Sequence, residues 1–551
     1  MAVTDWLWVA AFVAACLAVV AFNAVKQRAQ LRQRLAAAWH QRPTRQVHDS
    51  PASLAEADRV YATAHPGASR VDDLTWRDLN MQAVFDLLNQ TESSVGSEAL
   101  YARLHNIDFT KPQVAEDLAA FFEDNAPARL AVRTAFAHLG KTDHNQAQDY
   151  LQNAEHYRLP NSWHYTVMGW LPVAALVLIF VVPVAGIVLL LASLLTNVVV
   201  YTQRKSRLEV ELGAMRYLIQ TIAVAKHLCR IPTPRQAALQ QAYAPLAAIS
   251  RHAFVFRTKT GSTGDVAGDY LGIMLMLPFR QYNRVLTTLS QQREAALAVW
   301  ALLGDLEVAI AVANFRGFMP VTCQPQFAQG GVQATNLVHP LLTKPVANDV
   351  AWSQTALITG ANAAGKSTYV KSVAINCILA QTINTATAKT FRMAHGHVVS
   401  AMAVQDDLAA GDSYFIAEIK AIRRVLQLAQ GSQRVYGFID EILKGTNTVE
   451  RIAASASVVQ WLVHTQTLAM VATHDIELTG ILGQQAVNWH FQETVDLAGV
   501  HFDYRLHQGP ATTHNAIALL ATLQYPEAIT ESAEQLAHTF ETTHAWPQAG
   551  E

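Results

Sequence analysis

Gly360, Ala361, Asn362, Ala363, Ala364, Gly365, Lys366 and Ser367 spell G-x-x-x-x-G-K-S, and Thr368 follows. A glycine-rich loop of this spacing can wrap its backbone N–H groups around phosphate oxygens, provided a strand leads in and a helix leads out. Both flanks read that way: 355–359 (T-A-L-I-T) is a short β-favouring run, and 368–380 has helical periodicity. The spelling predicts that the backbone of 360–368 cradles the phosphates, that the Lys366 ammonium reaches the β- and γ-oxygens, and that the Ser367 hydroxyl holds Mg²⁺.

Two further runs supply what hydrolysis needs. Residues 434–439 (R-V-Y-G-F-I) are an apolar β-type run delivering two adjacent acids, Asp440 and Glu441. They stand at the C-terminal end, where parallel α/β sheets bind ligands. There Asp440 would hold the Mg²⁺ shell, and Glu441 would polarise water for in-line attack on a γ-phosphate. The run 468–473 ends in His474 and Asp475. One histidine among 21 is ordinarily structural or solvated. At the end of the strand after the acidic pair, His474 reads instead as a γ-phosphate sensor. Together the three pieces predict an α/β P-loop domain that binds and hydrolyses ATP with Mg²⁺.

Between them, residues 406–418 (D-D-L-A-A-G-D-S-Y-F-I-A-E) resemble the signature region of MutS-type mismatch-repair ATPases. Residues 358–368 resemble that family's Walker A, and 440–448 its Walker B and the loop that follows. Further matches are 338–342 (V-H-P-L-L), 347–350 (A-N-D-V) and 504–511 (Y-R-L-H-Q-G-P-A). A transporter ATPase would carry an L-S-G-G-Q-like stretch ahead of the acidic pair, and this chain has none. The resemblance spans about 330–540; upstream, 87–100 looks like the opening of the MutS core, or lever, domain. It implies a homodimer in which the counterpart of Ser413 approaches, in trans, the γ-phosphate held by the opposite subunit. Ser413 also reads as the N-cap of a helix over 414–430, and the roles agree because a helix N-terminus favours anions.

The departures from the family pattern spare every catalytic position. The usual Pro and Met of the P-loop are Ala361 and Ala363, Ser-Thr in the signature is Ser413-Tyr414, and Gly-Arg-Gly-Thr after the acids is Leu443-Lys444-Gly445-Thr446. They imply a divergent branch with a working site.

Elsewhere the chain carries something a repair ATPase does not need. Residues 6–25 form an uncharged, almost wholly apolar stretch of 20, long enough to span a ~30 Å hydrocarbon core at ~1.5 Å per residue. From 159 to 203 there is no Asp, Glu, Lys or Arg, and two apolar runs, 167–182 and 187–201, flank Pro183-Val184-Ala185-Gly186. That pattern predicts a transmembrane hairpin with Trp163, Tyr165, Trp170 and Tyr201 in the interfacial belts. A cleaved signal peptide would have its basic residues before the first stretch; here Lys26, Arg28, Arg32, Arg34, Arg42 and Arg45 follow it, without an intervening acid. Arg204, Lys205 and Arg207 close the hairpin. Both basic clusters predict the same orientation: N-terminus outside, three spans, and the ATPase domain on the cytoplasmic side. The basic run 26–45 suits anionic lipid headgroups better than nucleic acid because it adjoins an anchor.

The domain reading follows. A transmembrane anchor occupies 1–25, a basic juxtamembrane linker 26–69, the first part of an α-helical core 70–158, and the hairpin 159–203. The second core or lever part is 204–327, with a long helix over 281–313; the ATPase domain is 328–540, and the tail 541–551. Net charge is −2, so bulk charge selects no partner. Cys16, Cys229, Cys323 and Cys377 have no C-x-x-C spacing, which argues against a zinc site or a disulfide framework.

In the resembled family a mismatch reader and a connector precede the core, and the anchor, linker and core opening already fill that space here. Phe121, Phe122 and Glu123 match the family's wedge pattern F-x-E, but so loose a pattern arises by chance, and its helical context makes it core. The expected partners are a second copy of the chain, the lipid bilayer and an unidentified membrane or cytoplasmic protein. The resemblance adds DNA, whose binding would be salt-dependent. The expectation is a membrane-anchored ATPase that switches a dimer; the alternative is an ATP-dependent dimerisation switch or scaffold for a membrane partner, without DNA binding. In sealed cells, cysteine probes at Thr4 and Val184 are expected to label from outside, and probes at Ser69 and Ser432 are not. External labelling at Ser432 reverses the orientation.

Overall fold

Two kinds of apolar pattern, 3.6-residue stripes and short continuous β runs, sort the chain into two units. A computed structural model describes residues 3–43, 49–110, 114–142, 146–160, 162–250, 270–361, 364–402, 414–496, 499–511, 517, 520, 525–543 and 545–547. The expectations for Asn362, Ala363 and Ser413 lie outside the described residues.

The helical unit comprises Met1–Pro66, Asp86–Arg103 and Val114–Phe318. At its centre runs Arg293–Phe318, with Val299, Leu303, Leu306, Ala309 and Ile310 all buried. The single helix expected over 281–313 is in fact two, Leu277–Gln291 and Arg293–Phe318, because Gln292 leaves helical geometry at φ −115° and ψ 34°. Phe122 is fully buried on Glu116–Asp124, so the F-x-E triplet is core packing.

The apolar hairpin forms as two helices, Trp163–Ile179 and Pro183–Arg207. Pro183 occupies a first-turn position, where its missing N–H costs nothing. Gly186 lets the turn close: a Cβ there would meet the Ile179 backbone nitrogen at 2.5 Å. Asn197, buried, donates from Nδ2 to the carbonyls of Met168 (3.0 Å) and Met274 (2.6 Å), tying the hairpin to the apolar segment around 270–276. Phe180 is 90% exposed and Val184 76%. Among the described residues, two helices are long and apolar enough to cross a membrane, Pro183–Arg207 and Arg293–Phe318; 17% of the apolar stretch is buried in the first and 67% in the second, which makes the second a core helix of this unit. The N-terminal helix Val3–Ala37 carries both the first apolar stretch and the beginning of the basic run.

The second unit comprises Gly67–Phe85, Leu104–Gln113 and Met319–Glu551. Its main sheet has six strands in the order Gly499–Gln508, Val487–Asp496, Ala356–Thr359, Thr467–Ala472, Val435–Asp440, His397–Ala401. All are parallel but the first, an antiparallel edge strand. The central strands read as unbroken apolar runs because both faces are covered: Ala356–Thr359 and Thr467–Ala472 are buried at every residue. Helices Lys366–Ile383, Tyr414–Ala429 and Thr448–Val463 alternate with the strands. A smaller four-stranded sheet (Gln326–Phe327, Thr390–Met393, Val332–Leu337, Asn348–Trp352) and a two-stranded one (Ser69–Arg70, Asn106–Ile107) belong to the same unit.

The short pieces taken from before the hairpin are bolted on by buried polar contacts. Asp78 accepts from the Ser400 hydroxyl (2.8 Å) and the Met402 amide (2.9 Å), and the Thr75 hydroxyl accepts from the Ser400 amide (3.1 Å). Arg424 pairs with Asp72 and also donates to the Ser400 carbonyl.

In the helical unit the core holds one carboxylate that burial drives upward. Glu307 accepts from the Glu92 amide (2.7 Å), the Ser93 amide (3.2 Å) and the Ser93 hydroxyl, capping the start of Ser94–His105. Burial raises its pKa to about 7, and those hydrogen bonds only partly oppose the shift. An unfolded glutamate releases its proton near 4.5, so the folded state is penalised as pH rises from about 4.5 to about 7, by something on the order of 3 kcal/mol. Glu307→Gln is expected to flatten that part of the stability–pH curve. Thermal unfolding at pH 5 and pH 7.5 checks it: an unchanged slope removes Glu307 as its source.

Candidate active site

The ladder register brings the three sequence pieces to one edge. Ala472 pairs with Ile358 on one side and with Asp440 on the other. The ladder then runs one step further, with Thr473 N–H donating to Ile358 O (3.0 Å) and Glu441 N–H to Ala472 O (2.8 Å). Thus the P-loop, the acidic pair and His474 all leave the C-terminal edge at the same level. The P-loop strand lies where strand order reverses, between Val487–Asp496 and Thr467–Ala472, the crevice position of doubly wound sheets.

Gly360 (φ +129°) and Gly365 (φ +109°) take backbone conformations that side chains resist. A Cβ on Gly360 would also meet the Phe491 carbonyl at 2.5 Å. Ala364 is fully buried, and the helix Lys366–Ile383 starts at the lysine. Lys366 Nζ donates to the carbonyls of Gly360 (2.6 Å) and Ala361 (2.9 Å) and lies 3.3 Å from His474 Nε2. His474 Nε2 is in turn 3.3 Å from Glu441 Oε1, and Glu441 Oε2 is 3.3 Å from Lys444 Nζ. Lys366, His474 and Glu441 therefore form one connected chain of contacts.

Burial dominates the electrostatics. It lowers the Lys366 ammonium to about 8, against the carboxylates of Asp440, Glu441 and Glu493. His474 is depressed by burial first and by the Lys366 cation second, so its ring is neutral near pH 7. Glu441 and Leu443 sit at φ 63° and 59°, left-handed conformations that non-glycine residues hold only under constraint. Arg451 supplies one constraint, gripping Asp475, the neighbour of His474, through Nε (2.9 Å) and Nη2 (2.6 Å).

Beside the P-loop opens a cavity of about 430 Å³. Ala361, Gly365, Lys366, Ser367 and Thr368 line one end; His339, Leu342, Val346, Phe491 and Tyr504 line the rest. Burial holds His339 down at about 4, and its Nδ1 accepts from the Leu341 amide (3.2 Å), which leaves Nε2 as the protonated nitrogen. Asn348 bridges to the edge strand, donating to Tyr504 O (2.9 Å) and accepting from the Leu506 amide (2.8 Å). That bridge supports Tyr504 in its left-handed backbone (φ 57°). A cavity with a desolvated cation at one end, and an apolar and aromatic slot at the other, suits a nucleoside triphosphate. His339, Asn348 and Tyr504 stood in the sequence only as parts of a resemblance, without roles. Glu418 stood likewise, as the last residue of 406–418, while Phe491 and Arg451 gave no signal, since they are placed by packing between distant elements.

Residues 356–541 match the family model described as MutS domain V. Among curated proteins, the chain is similar to DNA mismatch repair protein MutS of Natronomonas pharaonis, 27% identical over 272 residues, which are 47% of this chain and 31% of that protein. It is similar to DNA mismatch repair protein MutS 2 of Haloarcula marismortui, 30% identical over 199 residues, covering 35% and 21%. For DNA mismatch repair protein MutS of Thermus aquaticus the figures are 27% over 254 residues, 45% and 30%. The chain thus spans less than a third of the length of these relatives.

Lys366→Ala is expected to abolish nucleotide binding, and Glu441→Gln to keep binding while losing turnover. Because a neutral lysine cannot pair with phosphate, wild-type affinity should weaken above pH of about 8, by up to about tenfold per unit. Titration calorimetry across pH 6.5–9.5 and steady-state turnover check both; parental turnover in Glu441→Gln removes its catalytic assignment.

Proposed function

Because residues 356–541 belong to the MutS family, we propose that this chain is an ATPase whose nucleotide cycle switches a dimer held at a membrane. The observation that carries this reading is the connected chain Lys366–His474–Glu441, whose first member, Lys366, lines the P-loop cavity.

Each residue has a role in this reading. The backbone from Gly360 to Thr368 and the Lys366 ammonium hold the phosphates. Ser367 and Asp440 would hold Mg²⁺, which would supply charge neutralisation at the phosphates. Glu441 accepts a proton from the attacking water and orients it. His474, neutral and carrying one N–H, senses the γ-phosphate. The apolar slot of Leu342, Val346, Phe491 and Tyr504 takes the base.

Membrane anchoring is supported by the exposed apolar surface of the hairpin and by the basic clusters that follow each apolar segment. Three spans, N-terminus outside and the ATPase domain inside, put the P-loop where ATP is. The relatives' names concern DNA mismatch repair; for this chain DNA is a further candidate partner, beside the bilayer and a second subunit.

Dimerisation follows from the signature segment. With Ser413 acting in trans, one P-loop alone leaves developing γ-phosphate charge incompletely stabilised. Ser413→Ala and Lys366→Ala chains, each inactive, are expected to recover partial ATPase activity when co-expressed, because a heterodimer rebuilds one whole site. A cap alone would cost only ~1 kcal/mol of stability and give no recovery. Absence of recovery in confirmed heterodimers overturns the trans role.

A further inference from the structure

The helix Tyr414–Ala429, which follows the signature segment, buries Glu418, Ala421, Ile422, Val425 and Ala429. Those positions trace one stripe at helical spacing, the stripe that normally carries apolar residues alone. Glu418 is the exception: a carboxylate only 3% exposed, in line with alanine, isoleucine and valine. A buried carboxylate costs free energy unless its oxygens are satisfied. Glu418 Oε1 accepts from the backbone N–H of Lys444 (2.9 Å), while Oε2 is buried without a partner among the described residues. A half-satisfied carboxylate in an apolar stripe is poor design for stability alone.

What Glu418 holds is the loop carrying the water-orienting acid. Lys444 is three residues beyond Glu441, and its ammonium lies 3.3 Å from Glu441 Oε2. Two residues of that loop, Glu441 and Leu443, are in left-handed conformations, so the loop keeps its shape only where outside contacts impose it. Ile442 is buried, and its carbonyl accepts from the Ser455 hydroxyl (3.3 Å). On the other side of the loop, the Lys444 amide is pinned to Glu418 alone among the described contacts.

We propose that Glu418 is a positioning residue: it ties the helix of the signature segment to the backbone of the 441–444 loop and so fixes the aim of the Glu441 carboxylate. The inference rests on the ATPase reading above and deepens it. It makes the signature helix and the hydrolytic carboxylate parts of one rigid link within a subunit. Displacing that helix then re-aims Glu441, while Lys366 and the P-loop are left in place.

The test uses the full-length purified chain in wild-type, Glu418→Ala and Glu418→Gln forms. Gln keeps an acceptor oxygen at Oε1; Ala removes it. Glu418→Ala is expected to lower kcat at least ~10-fold with KM within ~2-fold of wild type, and Glu418→Gln to stay within ~3-fold of wild type in both. A merely structural role would scale activity with the folded fraction and give no such split. Hydrogen–deuterium exchange without nucleotide gives a second readout: peptides containing Lys444 should exchange faster in Glu418→Ala and at the wild-type rate in Glu418→Gln. Wild-type kcat in the Ala form, equal losses in Ala and Gln, or unchanged exchange at Lys444 each overturn the proposal. A wild-type chain with no ATP turnover overturns the ATPase reading and the catalytic role with it; the exchange measurement then reads the Glu418–Lys444 tie separately, so the two failures are distinguishable.

Discussion

The parallel pairing of Thr467–Ala472 with Ala356–Thr359 on one side and Val435–Asp440 on the other is the constraint from which the site follows. A parallel ladder aligns strand ends as well as strand bodies. With Ala472 held level with both Ile358 and Asp440, the residues emerging next are Gly360, Glu441 and His474. Shifting either strand by one residue would exchange the side chains packed on its two faces, and close packing on both faces resists that. Core packing therefore sets the spacing of the chemistry.

Around that ladder the site is strained and dry. The positive φ angles of Gly360, Gly365, Glu441 and Leu443 cluster at the same edge. They persist because contacts from elsewhere over-determine them: the Phe491 carbonyl against Gly360, the Glu441 and Thr473 amides in the extended ladder, and the Arg451–Asp475 pair behind His474. Burial lowers the pKa of both basic side chains beside the P-loop, leaving His474 a neutral ring next to the Lys366 ammonium. An anion arriving there would meet groups whose hydration has already been removed, which is the condition under which electrostatic contacts act strongly.

The helical unit handles polarity differently. Among its buried polar groups, Glu307 caps a helix start, and Asn197 spends its amide on two carbonyls at the base of the hairpin. Over most of the hairpin the side chains are apolar and outward-facing, the reverse of the six-stranded sheet, where apolar runs are covered on both faces. One chain thus contains two solutions to an excess of apolar residues, burial in a sheet and presentation on a helical pair.

Much of the site's local layout was legible in the sequence, because motif residues are local. The G-x-x-x-x-G-K-S loop lies between a strand and a helix, and the acids and His474 end apolar strands, as the spelling predicts. Both helices of the hairpin follow from an uncharged stretch divided at Pro183. Other features depended on the fold. Residues 70–85 and 104–110 read as helical core, yet they cluster with the sheet, the first of them through contacts between Asp72, Thr75 or Asp78 and partners more than 300 positions away. The break at Gln292 interrupts a continuous helical pattern without Gly or Pro to announce it. Phe491, Tyr504 and Asn348 meet at the cavity only because an antiparallel edge strand and a second sheet converge there. By itself the sequence determined which groups can do the chemistry and which segments are too apolar for water, since both are properties of side-chain type and local spacing. Strand order, register and the partners of buried charges were decided by the tertiary structure, because they are set by long-range packing, which no local pattern encodes.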